Sequence, residues 1–349
     1  MKRTSLIGLC LSGVLVLALP VGAQVLYRPP IDLGTLPGGA ISNAFGVNDT
    51  SRVVGVSQAS GFFNHGFLWR KNTGMTDLGT LGGNFSSAQA INDATQIVGQ
   101  AETTSAAHAF LLKAPAGMQD LGTLGGSNSQ ANSLNFDAAT ETATQIAGWS
   151  LTSGNAATHA VIWDASLNVA DLGTLGGTNS FAFGNNCVGQ VVGSSDTAVL
   201  GVSDAFVWDT VHGMQDLGTL GGSLAQASAI NCSGLIVGYS FLVGDVETHA
   251  FLYTNGSMKD LGTLGGSLSQ ANSINDAGQV VGSSSTTGDA DTHAFLWTRN
   301  RGMQDLNKLI PANSGWDLLG ANSISNNGRI VGAGLHNGAQ HAFLVIPVQ

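Results

Sequence analysis

The chain has 349 residues, a formal net charge of −10 at pH 7 and only 10 % charged residues. Its 43 % hydrophobic content excludes a disordered chain, and its glycines follow no Gly-X-Y period, which excludes collagen. The acidic balance excludes nucleic acid as a partner, because phosphates require a basic surface.

The first 23 residues have the layout of a secretory signal peptide. Lys2 and Arg3 precede an apolar run over residues 6–19, and the small residue Ala23 precedes Gln24. The apolar run is too short to cross a bilayer comfortably, and no later segment is a candidate. We predict a signal peptide over residues 1–23, cleaved near Ala23, and no membrane span. Residues 24–349 are then one domain, secreted to the periplasm or the extracellular medium.

Three motifs recur along the rest of the chain. The motif Asp-Leu-Gly-Thr-Leu-Gly-Gly, or a close variant, begins at Asp32, Asp77, Asp120, Asp171, Asp216, Asp260 and Asp305. It is followed by an Ala-Ile-Asn or Ser-Ile-Asn segment with a Gln-Val-Val-Gly segment, and then by His-Ala-Phe-Leu. Seven such units fill residues 31–346, and a fixed period of this length indicates a repeat architecture.

Each unit predicts four short strands in chain order. Residues 118–124 form one strand that ends at a Gly-Gly pair, and residues 270–274 represent the next strand. A turn then leads to a β-branched strand at 279–282, and residues 293–297 form the fourth. The pattern predicts an all-β protein, a seven-bladed β-propeller with four-stranded blades. A parallel β-helix with two coils per unit is the alternative.

Chain order also predicts how the two ends meet. If the Ala-Ile-Asn strand is innermost in each blade, the Asp-Leu-Gly strand is outermost. The N-terminal strand at 31–36 then completes the last blade, which residues 321–346 build. This pairing removes an open sheet edge, and such edges promote aggregation.

The combination of Asp-Leu-Gly-Thr-Leu-Gly-Gly with His-Ala-Phe resembles the HAF repeat, a family of extracellular bacterial repeat proteins. The resemblance covers essentially the whole chain after the signal peptide. It implies export and a repeat fold, and it brings no catalytic mechanism. The sequence departs from the pattern at Asp204, which replaces the histidine, and at residues 307–311 in the last unit.

The repeated Asp and His residues could suggest acid–base or metal chemistry. A residue present in every blade, however, more simply has a structural role that each blade requires, such as capping a turn or bridging two strands through a hydrogen bond. A His–Asp hydrogen bond within each unit is similar to the polar network of WD-repeat propellers. Seven aspartates around a ring lie too far apart to converge on one metal. No metal-binding, phosphate-binding or nucleophile motif is present. We therefore predict no catalytic residue, no metal and no cofactor.

Cys187 and Cys232 each follow an asparagine at the same place in neighbouring units. Equivalent turns near the axis of a seven-fold ring are about 5–6 Å apart, which is within disulfide reach. An exported protein is also in an oxidising compartment. The pair is a candidate disulfide, and two free thiols are the alternative.

The loop before His-Ala-Phe varies most from unit to unit, and variable loops on a constant scaffold commonly bind ligands. The candidate ligand-binding residues in these loops and outside the repeat consensus are Asp245, Glu247, Asp289, Asp291, Phe62, Phe63 and Trp316. For the acids, an ordinary hydrophilic loop is the alternative.

We predict a non-catalytic binding module whose partner is a protein or a glycan. A structural or surface-assembly protein is a second hypothesis. A polysaccharide hydrolase or lyase is a third, and it would use acids outside the repeat such as Glu102, Glu141 and Asp317.

Overall fold

The computed structural model describes residues 26–135 and 143–348. The predicted signal peptide and Glu141 lie outside these residues. In chain order the first fourteen strands are β1 (Ile31–Asp32), β2 (Ser42–Val47), β3 (Val53–Gln58), β4 (Asn64–Arg70), β5 (Gly74–Asp77), β6 (Ser86–Ile91), β7 (Ile97–Glu102), β8 (Ala107–Lys113), β9 (Gly117–Asp120), β10 (Gly125–Leu134), β11 (Gln145–Thr152), β12 (Thr158–Asp164), β13 (Val169–Asp171) and β14 (Gly176–Asn185).

The remaining strands are β15 (Val191–Thr197), β16 (Ser203–Asp209), β17 (Gly213–Gly218), β18 (Gly221–Ile230), β19 (Ile236–Leu242), β20 (Thr248–Thr254), β21 (Ser257–Asp260), β22 (Gly265–Ile274), β23 (Val280–Thr286), β24 (Thr292–Thr298), β25 (Gly302–Asp305), β26 (Trp316–Ile324), β27 (Ile330–His336) and β28 (Ala339–Val345). Single turns of 3-10 helix lie at Ser60–Phe62, Ser153–Asn155, Thr287–Asp289 and Leu306–Lys308. None of the helices in the described parts of the chain is long and apolar enough to span a membrane.

The strands form four-stranded antiparallel meanders. Four sheets have four strands each, in the orders β1-β28-β27-β26, β2-β3-β4-β5, β6-β7-β8-β9 and β10-β11-β12-β13. The other twelve strands form one sheet, in which single parallel bridges, Ser203 to Leu224 and Thr248 to Leu268, join three further meanders. The predicted all-β class and four-stranded units are confirmed, and the antiparallel pairing excludes the parallel β-helix.

The recurring sequence explains why the meanders pack. The phenylalanine of each His-Ala-Phe strand is fully buried where it is present, as Phe295 is in β24. Phe295 pairs with Gly282 of β23, and a Cβ atom on Gly282 would lie only 2.8 Å from the phenylalanine ring. The same Cβ atom would lie even closer to the backbone carbonyl oxygen of Gln270 in β22, so glycine in the Val-Val-Gly segment is required by the close approach of the neighbouring strand as well as of the aromatic ring.

The Asp-Leu-Gly strand is shorter than predicted. β9 ends at Asp120 instead of Leu124, and Gly125 begins β10 instead of ending a strand. The physical reason is a local turn: the Asp120 carboxylate accepts a hydrogen bond of 2.8 Å from the backbone N–H of Gly122, which has a positive φ of 67°. An aspartate that binds the backbone two residues on competes with strand pairing.

The N-terminal strand pairs with the C-terminal strand. β1 lies antiparallel to β28, with Ile31 opposite Leu344 and Asp32 opposite Phe343. The strand spans residues 31–32 instead of the predicted 31–36, for the same reason: Asp32 accepts a hydrogen bond from Gly34. The blade of residues 321–346 begins earlier than predicted, because β26 starts at Trp316.

The first strands of the meanders border a central cavity of about 210 Å³. Its lining comes from β2, β6, β10, β14, β18, β22 and β26. The sheets of β2 and β26 are neighbours: Asn322 of β26 donates a 2.8 Å hydrogen bond to the carbonyl of Ala44 in β2. These strands are therefore the innermost strands.

Candidate functional site

Two faces of the molecule follow from the meander order, because successive strands run in opposite directions. We call one the loop face. It carries the Gly-rich connections between meanders and the loops between the second and third strands, at residues 59–63, 103–106, 153–157, 198–202, 243–247, 287–291 and 337–338. The opposite face, here the turn face, carries the two other sets of turns.

His–Asp pairs recur at the base of the loop face. The Nδ1 atoms lie 2.7–3.1 Å from the carboxylate oxygens in the pairs His65–Asp77, His108–Asp120, His159–Asp171, His249–Asp260, His293–Asp305 and His341–Asp32. The same aspartates accept the N–H two residues on, as Asp171 does from Gly173 at 2.8 Å. Each pair thus fastens the segment that follows its aspartate to the third strand of its meander.

Asp204 changes this arrangement in one meander. Its carboxyl group lies beside that of Asp216, and its Oδ1 atom is buried without a hydrogen-bond partner among the described residues. Burial, followed by the charge of Asp216 and a hydrogen bond with it, raises the pKa of Asp204 to about 6. The two carboxyl groups therefore favour sharing a proton where the other meanders have a His–Asp pair.

Two of the acidic candidates have a local task in their loops. Asp245 and Asp289 adopt positive φ angles of 57° and 55°, and their carboxylates accept hydrogen bonds of 2.8 and 2.7 Å from the N–H groups of Ser223 and Ser267. Asn155 makes the same contact in its meander, to Ser127 at 2.8 Å. The hydrogen bond from Ser267 lowers the pKa of Asp289. These side chains fasten the loop to the neighbouring connection.

The other two acidic candidates are exposed. The Glu247 carboxylate lies 3.8 Å from Nε2 of His249. Asp291 is tied to Thr286 through backbone hydrogen bonds and leaves its side chain exposed. Both remain available on the loop face.

The aromatic candidates lie in two places. Phe63 is 45 % exposed, directly after the 3-10 turn to which Phe62 contributes its backbone. Trp316 is half-buried and stacks on the imidazole of His336, with ring centroids 4.6 Å apart and planes 1° from parallel. The structure therefore does not gather the predicted candidates into one pocket.

An apolar surface in the variable loops was missed by the sequence reasoning. Of the ten exposed large apolar side chains in the described residues, seven lie on the loop face: Ile41, Phe63, Val199, Leu200, Val243, Val246 and Leu268. Leu200 is fully exposed, and its loop belongs to the meander next to that of Val243 and Val246. The sequence signal was the apolar content of the loops at 198–202 and 243–247: the first contains no acid, and only the acids of the second are among the predicted ligand-binding residues.

A cluster of Asp32, His336 and His341 was missed as well. Nδ1 of His336 lies 2.8 Å from Oδ2 of Asp32, and Nδ1 of His341 lies 2.9 Å from the same oxygen. Burial acts to raise the pKa of Asp32, but hydrogen bonds from His341, Gly34 and His336 and the charge of His341 lower it below its usual value. The sequence feature that could have indicated this cluster is His336, a histidine outside the His-Ala-Phe motif in the last unit.

The cysteines lie on the turn face. Cys187 and Cys232 occupy equivalent turns of neighbouring meanders with a Cα–Cα distance of 5.4 Å, and their sulfur atoms are adjacent, as the predicted disulfide requires. The preceding Asn186 donates a 3.1 Å hydrogen bond to the carbonyl of Asn231, so a polar contact also holds these turns together.

Glu102 and Asp317, the described acids of the hydrolase hypothesis, contact different residues. Glu102 accepts a 3.0 Å hydrogen bond from the N–H of Asn84, as part of a loop connection. Asp317 lies 3.6 Å from Nε2 of His293.

No family model and no curated protein matches the sequence. Among solved structures, the chain is similar to the β-propeller domain of the Trilobed protease from Pyrococcus furiosus, with a TM-score of 0.57 and 10 % identity over 89 % of this chain and 98 % of that one. TolB from Acinetobacter baumannii has a TM-score of 0.47 and 13 % identity, over 84 % of this chain and 79 % of that one. A gluconolactonase from Xanthomonas campestris has a TM-score of 0.43 and 9 % identity, over 91 % of this chain and 89 % of that one. The first similarity shows a β-propeller fold; the other two add nothing to it.

Proposed function

We propose that this chain is an exported, seven-bladed β-propeller of HAF repeats that acts as a non-catalytic interaction module and binds a protein partner through its loop face. The observation that carries the proposal is the concentration of exposed apolar side chains in the variable loops of that face. Exposed apolar patches on a folded domain mark interaction sites.

The seven blades are supported by three features. The sequence has seven units, seven innermost strands border the central cavity, and β1 pairs with β28 in the sheet that contains the last three strands. The N-terminal strand then fastens the last blade, and the ring is held closed from both chain ends.

Export is supported by the pattern of residues 1–23 and by the cysteine pair. A bond between Cys187 and Cys232 persists in an oxidising compartment, and cytosolic proteins rarely retain such bonds. Both observations agree with the location that the HAF resemblance implies.

The chemistry of the loops favours a protein over a glycan. Val199, Leu200, Val243 and Val246 are aliphatic and 64 % exposed or more, so their burial against another apolar surface is favourable. Glycans instead offer hydroxyl groups and present few faces for aliphatic side chains. Phe63 and Trp316 are the aromatic residues that a glycan partner would use.

The non-catalytic part of the proposal is supported by the local contacts of the acids. Glu102 and Asp317 each face a different neighbour, Asn84 and His293. Six of the seven repeated aspartates pair with histidines, and the seventh, Asp216, pairs with the carboxyl group of Asp204. A polysaccharide hydrolase or lyase needs two such groups around one pocket. Turnover on a polysaccharide panel that is lost in Asp317→Asn would overturn this part.

Affinity capture with variants of the two faces tests the binding proposal. The chain from residue 24 is immobilised, and medium and envelope extracts of the source organism are crosslinked to it. The loop-face variant is Leu200→Ser with Val243→Ser, and the matched turn-face control is Val188→Ser with Val211→Ser, since both of these valines are also exposed. We expect a protein crosslinked to the loops in the wild type and the control, reduced about tenfold or more in the loop-face variant. Equal capture by all three would contradict the proposal.

A further inference from the structure

We propose that Asp32, His336 and His341 form a binding site for a divalent transition-metal ion of the zinc type, at the junction of β1, β27 and β28. Each residue offers one ligand atom, and these atoms all lie within 4.8 Å of one another. This site is independent of the proposed partner binding.

The donor set selects the class of ion. Two imidazole nitrogens and one carboxylate oxygen suit Zn²⁺ and its neighbours, whereas Ca²⁺ and Mg²⁺ prefer all-oxygen ligands. Ligand atoms of a tetrahedral zinc ion are about 3.3 Å apart, given metal–ligand distances near 2.0–2.1 Å. The distances of 2.8 and 2.9 Å from Asp32 to the two imidazoles are about 0.5 Å shorter than this value, and all three ligand atoms lie within 4.8 Å of one another. Three protein ligands leave a fourth position for water.

His336 departs from the repeat pattern. It is the last residue of β27, and the corresponding strands β15, β19 and β23 end in Thr197, Leu242 and Thr286. The other five His–Asp pairs of the repeat, in the described residues, have one imidazole per carboxylate. Within residues 26–135 and 143–348, a second imidazole beside a repeated aspartate therefore occurs only where β1 meets β27 and β28.

The surroundings hold the ligands in place. Trp316 stacks on the His336 ring and sets its plane, and the N–H of Gly34 holds one oxygen of Asp32 at 2.8 Å. The three side chains are between 23 % and 30 % exposed, so an ion can reach them from solvent.

A bound ion would join residue 32 to residues 336 and 341. Because the ligands come from both ends of the chain, binding would stabilise the folded state and oppose detachment of β1. The proposed role is a metal-dependent clasp between the chain termini.

Titration of ZnCl₂ into the EDTA-treated chain from residue 24 tests the site. We expect one Zn²⁺ per chain in calorimetry and a rise of a few degrees in the unfolding temperature. His336→Thr, which installs the residue of the corresponding strands, should abolish both effects. The matched control His159→Gln, in a pair with a single imidazole, should retain them.

Two results would overturn the proposal: no uptake by the wild type at millimolar ZnCl₂, or unchanged stoichiometry and affinity in His336→Thr. Circular dichroism establishes that each variant is folded. If His336→Thr does not fold, His336→Gln keeps an amide donor toward Asp32, and His341→Gln removes the other imidazole. Loss of Zn²⁺ binding in these folded variants supports the site, and its retention in both excludes it.

Discussion

Asp204 is the residue at which the repeat replaces its histidine by a second acid. The pKa of Asp204 in the folded protein is about 6, above the value of 3.8 for a free carboxyl, so the folded state holds its proton more tightly than the unfolded chain does. Stability contributed by the protonated form is therefore complete below pH 3.8 and is lost as pH rises through about 6.

We predict that Asp204→His stabilises the protein at pH 7.5 by roughly 1 kcal/mol, a value discounted for partial solvent exposure. The new imidazole would pair with Asp216 as in the other meanders. Asp204→Asn removes only the repulsion and should flatten the pH dependence between pH 4 and 6. Urea unfolding at pH 4.5 and 7.5 measures both effects. Equal stability changes with pH in all three proteins would contradict the explanation.

Side-chain contacts could be predicted from the sequence where the residues repeat in each unit, and could not where they do not. The His–Asp pairing could be anticipated because one contact serves every unit. The cluster around Asp32 could not, since its third member, His336, follows no motif and approaches only when β1 pairs with β28. Asp245 stays a predicted ligand-binding residue, but its hydrogen bond with the N–H of Ser223 in the adjacent connection could not be anticipated from the sequence.

Individual strands are joined across meanders by buried serines. Ser180 of β14 is fully buried, accepts a 2.8 Å hydrogen bond from the N–H of Ala160 in β12 and donates one of 2.6 Å to the carbonyl of Gly173. We predict that Ser180→Ala lowers the free energy of unfolding by about 1–3 kcal/mol, because two buried backbone groups lose their partner. The exposed Thr178→Ala is the control, with a change below about 0.5 kcal/mol. Denaturant unfolding that does not separate these variants would refute this role.

The turns that carry Cys187 and Cys232 belong to neighbouring meanders, and a disulfide would link them. We predict that the native chain shows no free thiol at these positions by intact-mass analysis after alkylation. Cys187→Ser with Cys232→Ser should lower stability by about 2–4 kcal/mol, since the bond closes a loop of 45 residues. Val188→Ser, on the exposed residue beside Cys187, serves as the control. Two alkylated thiols in the native protein would rule out the bond.

Strand number and order followed from the repeat, but strand ends did not. The sequence pattern predicts strand ends at the Gly-Gly pairs, whereas the Asx turn at Asp120 places the end earlier and lets Gly125 start the next strand. Side-chain-to-backbone hydrogen bonds of this kind compete locally with strand pairing, and hydrophobic pattern alone does not register them.

At the scale of the whole molecule, the N-terminal segment connects both ends of the chain. Tyr27, Leu33 and Leu36 are at most 4 % exposed, and they pack in clusters that also contain Phe343 or Leu344 of β28. We predict that a chain beginning at residue 41 loses at least about 5 kcal/mol of stability relative to one beginning at residue 24, from the loss of these buried side chains. Thermal unfolding compares the two, and equal midpoints would show that the segment does not hold the fold together.

The repeat period predicted the all-β class and the four-stranded meanders of the whole molecule, because each unit must bury its faces against a neighbour. It did not predict which loop residues form a shared surface. Leu200 and Val243 are in loops of different meanders, 43 residues apart in sequence, and only packing of the meanders places them on the same face.

The most direct test of the binding account is hydrogen exchange of the protein alone and in complex with the partner that it captures. We predict slower exchange confined to the loop face, at residues 59–63, 198–202 and 243–247, with the turns at 186–190 and 210–212 unchanged. Protection of the turns with unaltered exchange in the loops would contradict the central claim.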